Sequence, residues 1–490
     1  MTTVRRALAL SFLERYLSIV LALGSGMVLA RLLTPEQIGM YSVTLAVIGL
    51  AHVLREFGVG NYLIQQKDLN DDHVRTAFGL ALVMGTTLAV VILAVAPWVG
   101  RFYSSPEMVG LMRIVALNFL VLPFCSISLS LLRRDMKFKA LLYVSLAAMS
   151  LGTAVTLVLA WAGHGPTSMA VGAVAGNVAT GFGAWWARGR PPALRPGWKE
   201  WRVVLNFGGQ SAATGIVTAV AMDINDLVLG KVLGFAPVAI LSRAQGTVGL
   251  FTRELLGSAR NVLYPAFANY HRTDGDVETF HNRCVSFITS VGWAFFGFLS
   301  LFPLEVTRLL FGPQWDQSAS LISAMAFGGA LYCLSSLVLP LLTAVGRVDL
   351  VTKVELPFQI TRAAAMATVA VTTHSLLACA LTYSATQLLY LFTVYFVKQF
   401  HHPTNWATLI RGCGKSLGVV TFSLILAMPI SALHGLSRDL PLPIHFFLMA
   451  AISTPILWFA AIFIFRHPAA EEPIVLKLTN RFSRKVAVNQ

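Results

Sequence analysis

The chain has 490 residues, of which 56% are apolar and only 12% charged, with a formal net charge of +15. A soluble globular protein carries roughly 25% charged residues, and a single soluble core stops growing near about 250–300 residues. These figures exclude an ordinary cytosolic enzyme, a disordered protein and a nucleic-acid binder, and they leave a polytopic membrane protein.

The N-terminus, MTTVRRALALSFLERYLSIV, starts basic and turns apolar like a signal peptide. The run continues past Leu33 without a small-residue cleavage site, so it reads as a retained first helix. Apolar segments follow in order near residues 11–33, 37–64, 75–100, 107–132, 139–161, 166–187, 203–233, 236–268, 282–311, 318–345, 350–372, 375–398, 411–433 and 443–465. Only helices and closed barrels can span a bilayer, and runs of this length favour helices over ten-residue alternating strands. The expected fold class is therefore all-α and polytopic, with about 14 transmembrane helices. The connections are too short for a folded soluble domain.

Charge gives the orientation. With the N-terminus inside, Arg5, Arg6, Arg133, Arg134, Lys137, Arg188, Arg347, Lys415 and the tail residues Arg481, Arg484 and Lys485 fall on inner connections. Only Arg31, Arg101, Lys231 and Arg438 fall on outer ends. Cytoplasmic loops collect Lys and Arg, so both termini are expected in the cytoplasm.

The chain also repeats itself. Val28-Leu29-Ala30-Arg31-Leu32-Leu33 aligns with Val228-Leu229-Gly230-Lys231-Val232-Leu233 at an offset of 200 residues. Arg55-Glu56 is echoed by Arg253-Glu254, and Arg133/Arg134 before segment five by Arg347 before segment eleven. Six helices separate equivalent points, which predicts two six-helix lobes related by a pseudo-twofold along the membrane normal. The expected boundaries are 1–190, 200–400, and 405–490 for two extra helices with a basic tail.

Enzyme signatures are missing. Arg411-Gly412-Cys413-Gly414-Lys415-Ser416 ends like a phosphate loop, but Leu409 stands where that motif needs Gly. Cys125, Cys284, Cys333, Cys379 and Cys413 form no CxxC pair. His401-His402 reads as a solvated pair, and Gly172-xxx-Gly176 as helix packing. No metal site and no organic cofactor is expected.

Charges inside the apolar segments are the informative residues, because a centred Arg or Asp costs roughly 2.5–3.5 kcal/mol on insertion scales and so faces a cavity or a partner. They are Glu14 and Arg15 in segment one and Arg55 and Glu56 in segment two. Segment seven adds Asn206, Gln210, Asp223, Asn225 and Asp226, and segment eight Arg243, Arg253, Glu254 and Arg260. Segment eleven carries Arg362. Three readings are open. Arg15, Arg55, Arg243, Arg253, Arg260 and Arg362 suit a phosphate-bearing cargo, since guanidinium forks match phosphate oxygens. Asp223, Asp226, Glu56 and Glu254 suit a coupling cation, Na+ or H+. The third reading settles these charges locally, as in the adjacent pairs Arg55-Glu56 and Arg253-Glu254, or by pairing Asp226 with Lys231.

Leu29-Ala30-Arg31-Leu32-Leu33-Thr34-Pro35-Glu36-Gln37-Ile38-Gly39-Met40-Tyr41 resembles the motif closing the first helix in the polysaccharide-transporter branch of the multidrug/oligosaccharidyl-lipid/polysaccharide exporter superfamily. Phe57-Gly58 with Leu63-Ile64-Gln65, and Leu131-Leu132-Arg133-Arg134-Asp135-Met136-Lys137-Phe138, resemble later landmarks. Ile240-Leu241 depart from the Gly-Tyr usual in the second repeat. The resemblance implies a bacterial inner-membrane flippase that moves a polyprenyl-diphosphate-linked oligosaccharide by alternating access, in O-antigen, exopolysaccharide or capsule synthesis. Its implied partners are that lipid, membrane lipids and the polysaccharide polymerase and export machinery. The alternative within the superfamily is a cation-coupled multidrug exporter.

Overall fold

The structure is a computed structural model and describes residues 2–56, 59–189, 195–199, 201–202, 204, 223–434 and 442–471. Asn206, Gln210, Gly58 and the basic tail lie outside the described residues, as do the side chains of Arg55 and Glu56. Among the described residues every regular element is helical. A bilayer interior offers backbone amides no water, so each must bond within its own helix. The chain divides into two compact units, Met1–Ala239 and Ile240–Gln490.

The first unit holds α1 (Thr2–Leu32), α2 (Pro35–Glu56), α3 (Val59–Gln65), α4 (Asp71–Phe102), α5 (Pro106–Arg134), α6 (Phe138–Trp161) and α7 (Thr167–Arg188), and residues 223–232 are helical as well. Local chemistry sets the helix starts. The Asn70 side chain accepts from the His73 backbone at 2.9 Å while His73 Nδ1 accepts from Asn70 N at 3.3 Å, a reciprocal cap on α4. Pro106 supplies a preset first turn to α5. The contact between α6 and α7 depends on glycine. A Cβ on Gly172 would sit 1.8 Å from Thr156 Oγ1, and one on Gly152 would sit 2.9 Å from the Gly172 carbonyl oxygen. The small-residue spacing at 172 and 176 thus serves packing.

The second unit is built from α8 (Phe235–Gly249, shared with the end of the first), a π-helical turn (Leu250–Leu255), α9 (Leu256–Arg272), α10 (Val277–Leu301), α11 (Pro303–Leu310), α12 (Gln317–Ser335) and α13 (Val338–Ala344). It continues through α14 (Val348–Thr373), α15 (Leu376–His401), α16 (Trp406–Ser423), α17 (Ala427–His434) and α18 (Ile444–Ile464). Several expected segments are two helices. The run 282–311 breaks at Phe302, because Pro303 disfavours helical geometry in the residue before it. The run 411–433 becomes α16 and α17, bent by 56°.

Eight described helices are long and apolar enough to cross a membrane, and the bent pair would make a ninth. The chain is thus a multi-pass membrane protein. α14 is not among the eight, because Asp349, Lys353, Glu355 and Arg362 interrupt its apolar surface.

Two features recur at positions that the sequence pattern pairs. α2 starts at Pro35 and α8 at Phe235, and Glu36 Oε2 accepts from Ala236 N at 2.9 Å. α6 and α14 are entered through the same turn. Met136 (φ 55°) and Gly346 (φ 86°) are left-handed two residues before their helices. Lys137 N bonds Leu132 O at 3.0 Å, and Arg347 N bonds Leu342 O at 2.8 Å. Both are the six-to-one bond that closes a Schellman cap.

A buried ion pair locks the end of α15. Lys398 is wholly buried, and its Nζ donates to Glu278 Oε2 at 2.6 Å and to Thr404 Oγ1 at 2.9 Å. Glu278 also accepts from Asn282 Nδ2 and Asn405 N, each at 3.1 Å. His402 Nδ1 lies 3.4 Å from the same carboxylate. The solvated pair expected at His401-His402 is therefore half right: His401 is exposed, whereas His402 is drawn toward a buried charge.

Candidate functional site

Four helices of the second unit bring polar side chains together within their apolar packing. On α14, Glu355, Gln359 and Arg362 are spaced i, i+4, i+7, which stacks them along one stripe. Arg362 Nη2 donates to Gln359 Oε1 at 2.5 Å, and Gln359 Nε2 donates to Glu355 Oε1 at 2.7 Å. The second carboxylate oxygen accepts from the Tyr390 hydroxyl of α15 at 3.0 Å. Arg260 of α9 donates from Nη1 to the Tyr332 hydroxyl of α12 at 3.0 Å. The Tyr332 and Tyr390 rings lie 6.4 Å apart, and Phe358 packs on Tyr390 at 4.5 Å. Tyr332 is within electrostatic reach of Arg260, Glu355 and Arg362.

The cluster holds two guanidinium groups and one carboxylate, a surplus of one positive charge. Each guanidinium has five N–H donors in a fixed fork, and each donates one hydrogen bond within the cluster. In a low-dielectric setting such a surplus attracts an anion strongly. Sequence reasoning found Arg260 and Arg362 but missed Glu355, Gln359, Tyr332 and Tyr390. The i, i+4, i+7 spacing on α14 was the available signal for the first two.

The other candidate residues make different contacts. The Arg243 guanidinium lies 5.2 Å from the Phe311 ring centroid and 5.1 Å from that of Trp315, held by cation–π attraction. Those rings are positioned by Arg308, which grips Asp316 through two bonds of 2.8 and 2.5 Å. Arg253 is exposed on the π-helical turn, and its guanidinium lies over Gly249, with Nη2 2.5 Å from where a Cβ on that residue would be. Glu254 is half-buried beside it. π-Turns within helices occur frequently at functional sites. Arg15 is exposed on α1.

Asp223 and Asp226 share a face of the helical stretch 223–232, both half-buried. The Asp223 carboxylate fills the space above Gly49 of α2, 1.9 Å from where a Cβ would stand. The Asn225 Oδ1 between them is buried without a hydrogen-bond partner among the described residues. Lys231 donates to the Phe102 carbonyl and lies 4.6 Å from that ring's centroid. Among the described residues no group of three His, Cys, Asp or Glu side chains is arranged to hold a metal ion.

This architecture has recognisable relatives. The fold matches the solved lipid II flippase MurJ in its inward closed conformation with a TM-score of 0.70, at 13% identity, covering 94% of this chain and 98% of that one. An inward-facing multidrug resistance MATE family transporter of the MOP superfamily matches with a TM-score of 0.61 at 16% identity, covering 78% and 94%. In sequence, the chain is 24% identical to the lipopolysaccharide biosynthesis protein WzxC of Escherichia coli K12, over 68% of each protein. It is 22% identical to the succinoglycan biosynthesis transport protein ExoT of Rhizobium meliloti, over 65% of each. It is 21% identical to the teichuronic acid biosynthesis protein TuaB of Bacillus subtilis, over 61% of this chain and 62% of that one. The chain thus spans about two thirds of the length of the curated relatives it matches. A profile of the polysaccharide biosynthesis protein family covers residues 28–320, more than half of the sequence, and the chain belongs to that family, within the polysaccharide-transporter branch anticipated from its motifs.

Proposed function

We propose that the protein is a flippase, a transporter rather than an enzyme, that carries a polyprenyl-diphosphate-linked oligosaccharide across the bacterial inner membrane by alternating access. The pathway served is O-antigen, exopolysaccharide or capsule synthesis. The observation that carries this reading is the Arg260–Tyr332 and Arg362–Gln359–Glu355–Tyr390 cluster, a net-positive group packed against the apolar helices α12 and α15. A diphosphate can enter low dielectric only where cations are already placed, and Arg forks bind it bidentately. In this proposal Arg15, Arg55, Arg243 and Arg253 add contacts to the cargo, and Asp223, Asp226, Glu56 and Glu254 serve coupling to H+ or Na+. The fourteen-helix count, the lobes 1–190 and 200–400, and cytoplasmic termini belong to the same proposal.

The test is to substitute Arg260→Ala and Arg362→Ala singly and measure surface polysaccharide at matched protein levels. A loss of about tenfold or more per variant is expected, since a charge-assisted hydrogen bond contributes roughly 1.5–3 kcal/mol. Wild-type polysaccharide in both variants would sink the assignment. The half-buried Asp223 and Asp226 favour one second reading, export of cationic drugs coupled to a cation. Drug sensitivity in a deletion strain, with intact surface polysaccharide, would select it.

A further inference from the structure

The first unit holds a cavity of about 540 Å³ between α1, α2, α6 and α7, within the ~300–1,000 Å³ usual for small-molecule sites. Among the described residues no charged side chain lines it. Its polar lining includes Ser25, Tyr41, Ser145, Thr153, Thr156 and Asn177. Thr156 and Ser25 donate to carbonyls of their own helices, and Asn177 donates to Asn118 at 2.7 Å. Among the described residues the hydroxyls of Tyr41, Ser145 and Thr153 are not engaged in this way, although Ser and Thr in helices commonly bond back to the preceding turn. Between the polar groups, Leu29, Met149 and Met169 present apolar surface.

α6 and α14 are entered through the same capped turn, at positions that the expected repeat pairs. Their chemistry is opposite. α14 carries Glu355 and Arg362 in its middle, whereas the only charge on α6 is Lys139 at its start. Charge is concentrated on α14 and is missing from the middle of α6. A phosphate entering the first unit's cavity would find no countercharge, and an acyl chain would leave the hydroxyls without partners. A sugar ring satisfies both surfaces, with hydroxyls for the polar groups and C–H faces for the methionines and leucine.

We infer that this cavity of the first unit is a subsite for uncharged sugar residues of the cargo, distal to its diphosphate. The inference rests on the flippase reading. The test reconstitutes the full chain in proteoliposomes with two probes: a polyprenyl diphosphate bearing the host's complete repeat unit, and one bearing the first sugar alone. Wild type is compared with Tyr41→Phe/Ser145→Ala/Thr153→Val and with Thr153→Val alone. The triple variant should lose about tenfold or more for the complete unit, since each lost hydrogen bond is worth roughly a factor of five, and move the single-sugar lipid within about twofold of wild type. Equal losses for both lipids, or no loss for the complete unit, overturn the inference. If the triple variant does not accumulate, Thr153→Val alone decides on the same criterion, with a loss of about fivefold. If wild type moves neither lipid, the flippase reading itself fails and the subsite falls with it.

Discussion

Replacing Lys398 by methionine would remove one positive charge from a place without access to water and leave the Glu278 carboxylate behind. At an effective dielectric near 20, charges 2.6 Å apart attract by about 6 kcal/mol. Most of that offsets the cost of drying both ions, so the pair is worth little against an apolar replacement. Removing one partner alone costs about 3–5 kcal/mol, because a buried charge then stands uncompensated. The lower end applies here, since Glu278 keeps donors from Asn282 and Asn405. Lys398→Met is therefore expected to destabilise the second unit by about 3 kcal/mol. Adding Glu278→Gln should restore at least half of that, because the neutral amide needs no counterion. Tryptophan-fluorescence thermal unfolding of purified protein in detergent measures the cycle, and proteolysis in the 402–406 connection reads local opening. Single variants that unfold with wild type, or effects that simply add, would refute the argument.

Other predictions follow from glycine geometry and from a buried histidine. Gly172→Val should lower protein accumulation sharply, because its side chain would overlap Thr156 and the Gly152 carbonyl. Gly414→Ala, with nothing near its would-be Cβ, should stabilise α16 by roughly 0.5–1 kcal/mol in the same unfolding assay. His467 follows α18 with its Nδ1 accepting from Ala469 N at 3.1 Å and its Nε2 against Ser416 Oγ at 3.1 Å, an arrangement for neutral imidazole. Burial, and then Lys415, hold its pKa down at about 4. The unfolded chain gains a proton near pH 6.5 that the folded site refuses, so stability should fall by about 2 kcal/mol from pH 7 to pH 5. A His467→Gln variant should show a flatter dependence, and an equally steep one would discard the assignment.

Much of the fold was legible because bilayer physics writes directly into composition. Apolar runs mark helices, and the repeat shows in Val28–Leu33 against Val228–Leu233. The interruptions were less legible. Pro303 foretells a break, but the π-helical turn at Leu250–Leu255 has no sequence mark beyond the Arg253-Glu254 pair it carries. His402 looked solvated because its partner, Glu278, is over a hundred residues away. Among the candidate charges, the sequence separates Arg260 and Arg362 from the loop residues but not from Arg243, which packs between aromatic rings.

Sequence alone determined that this is a helical membrane protein with a small set of charges within its apolar segments, because insertion costs depend on residue type and run length. Tertiary structure alone decided which charges meet. Arg260 and Glu355 lie on different helices, so their place around Tyr332 and Tyr390 is a property of packing. The same holds for the uncharged cavity in the first unit, where close approach at Gly152 and Gly172 brings hydroxyls from separate helices around one space.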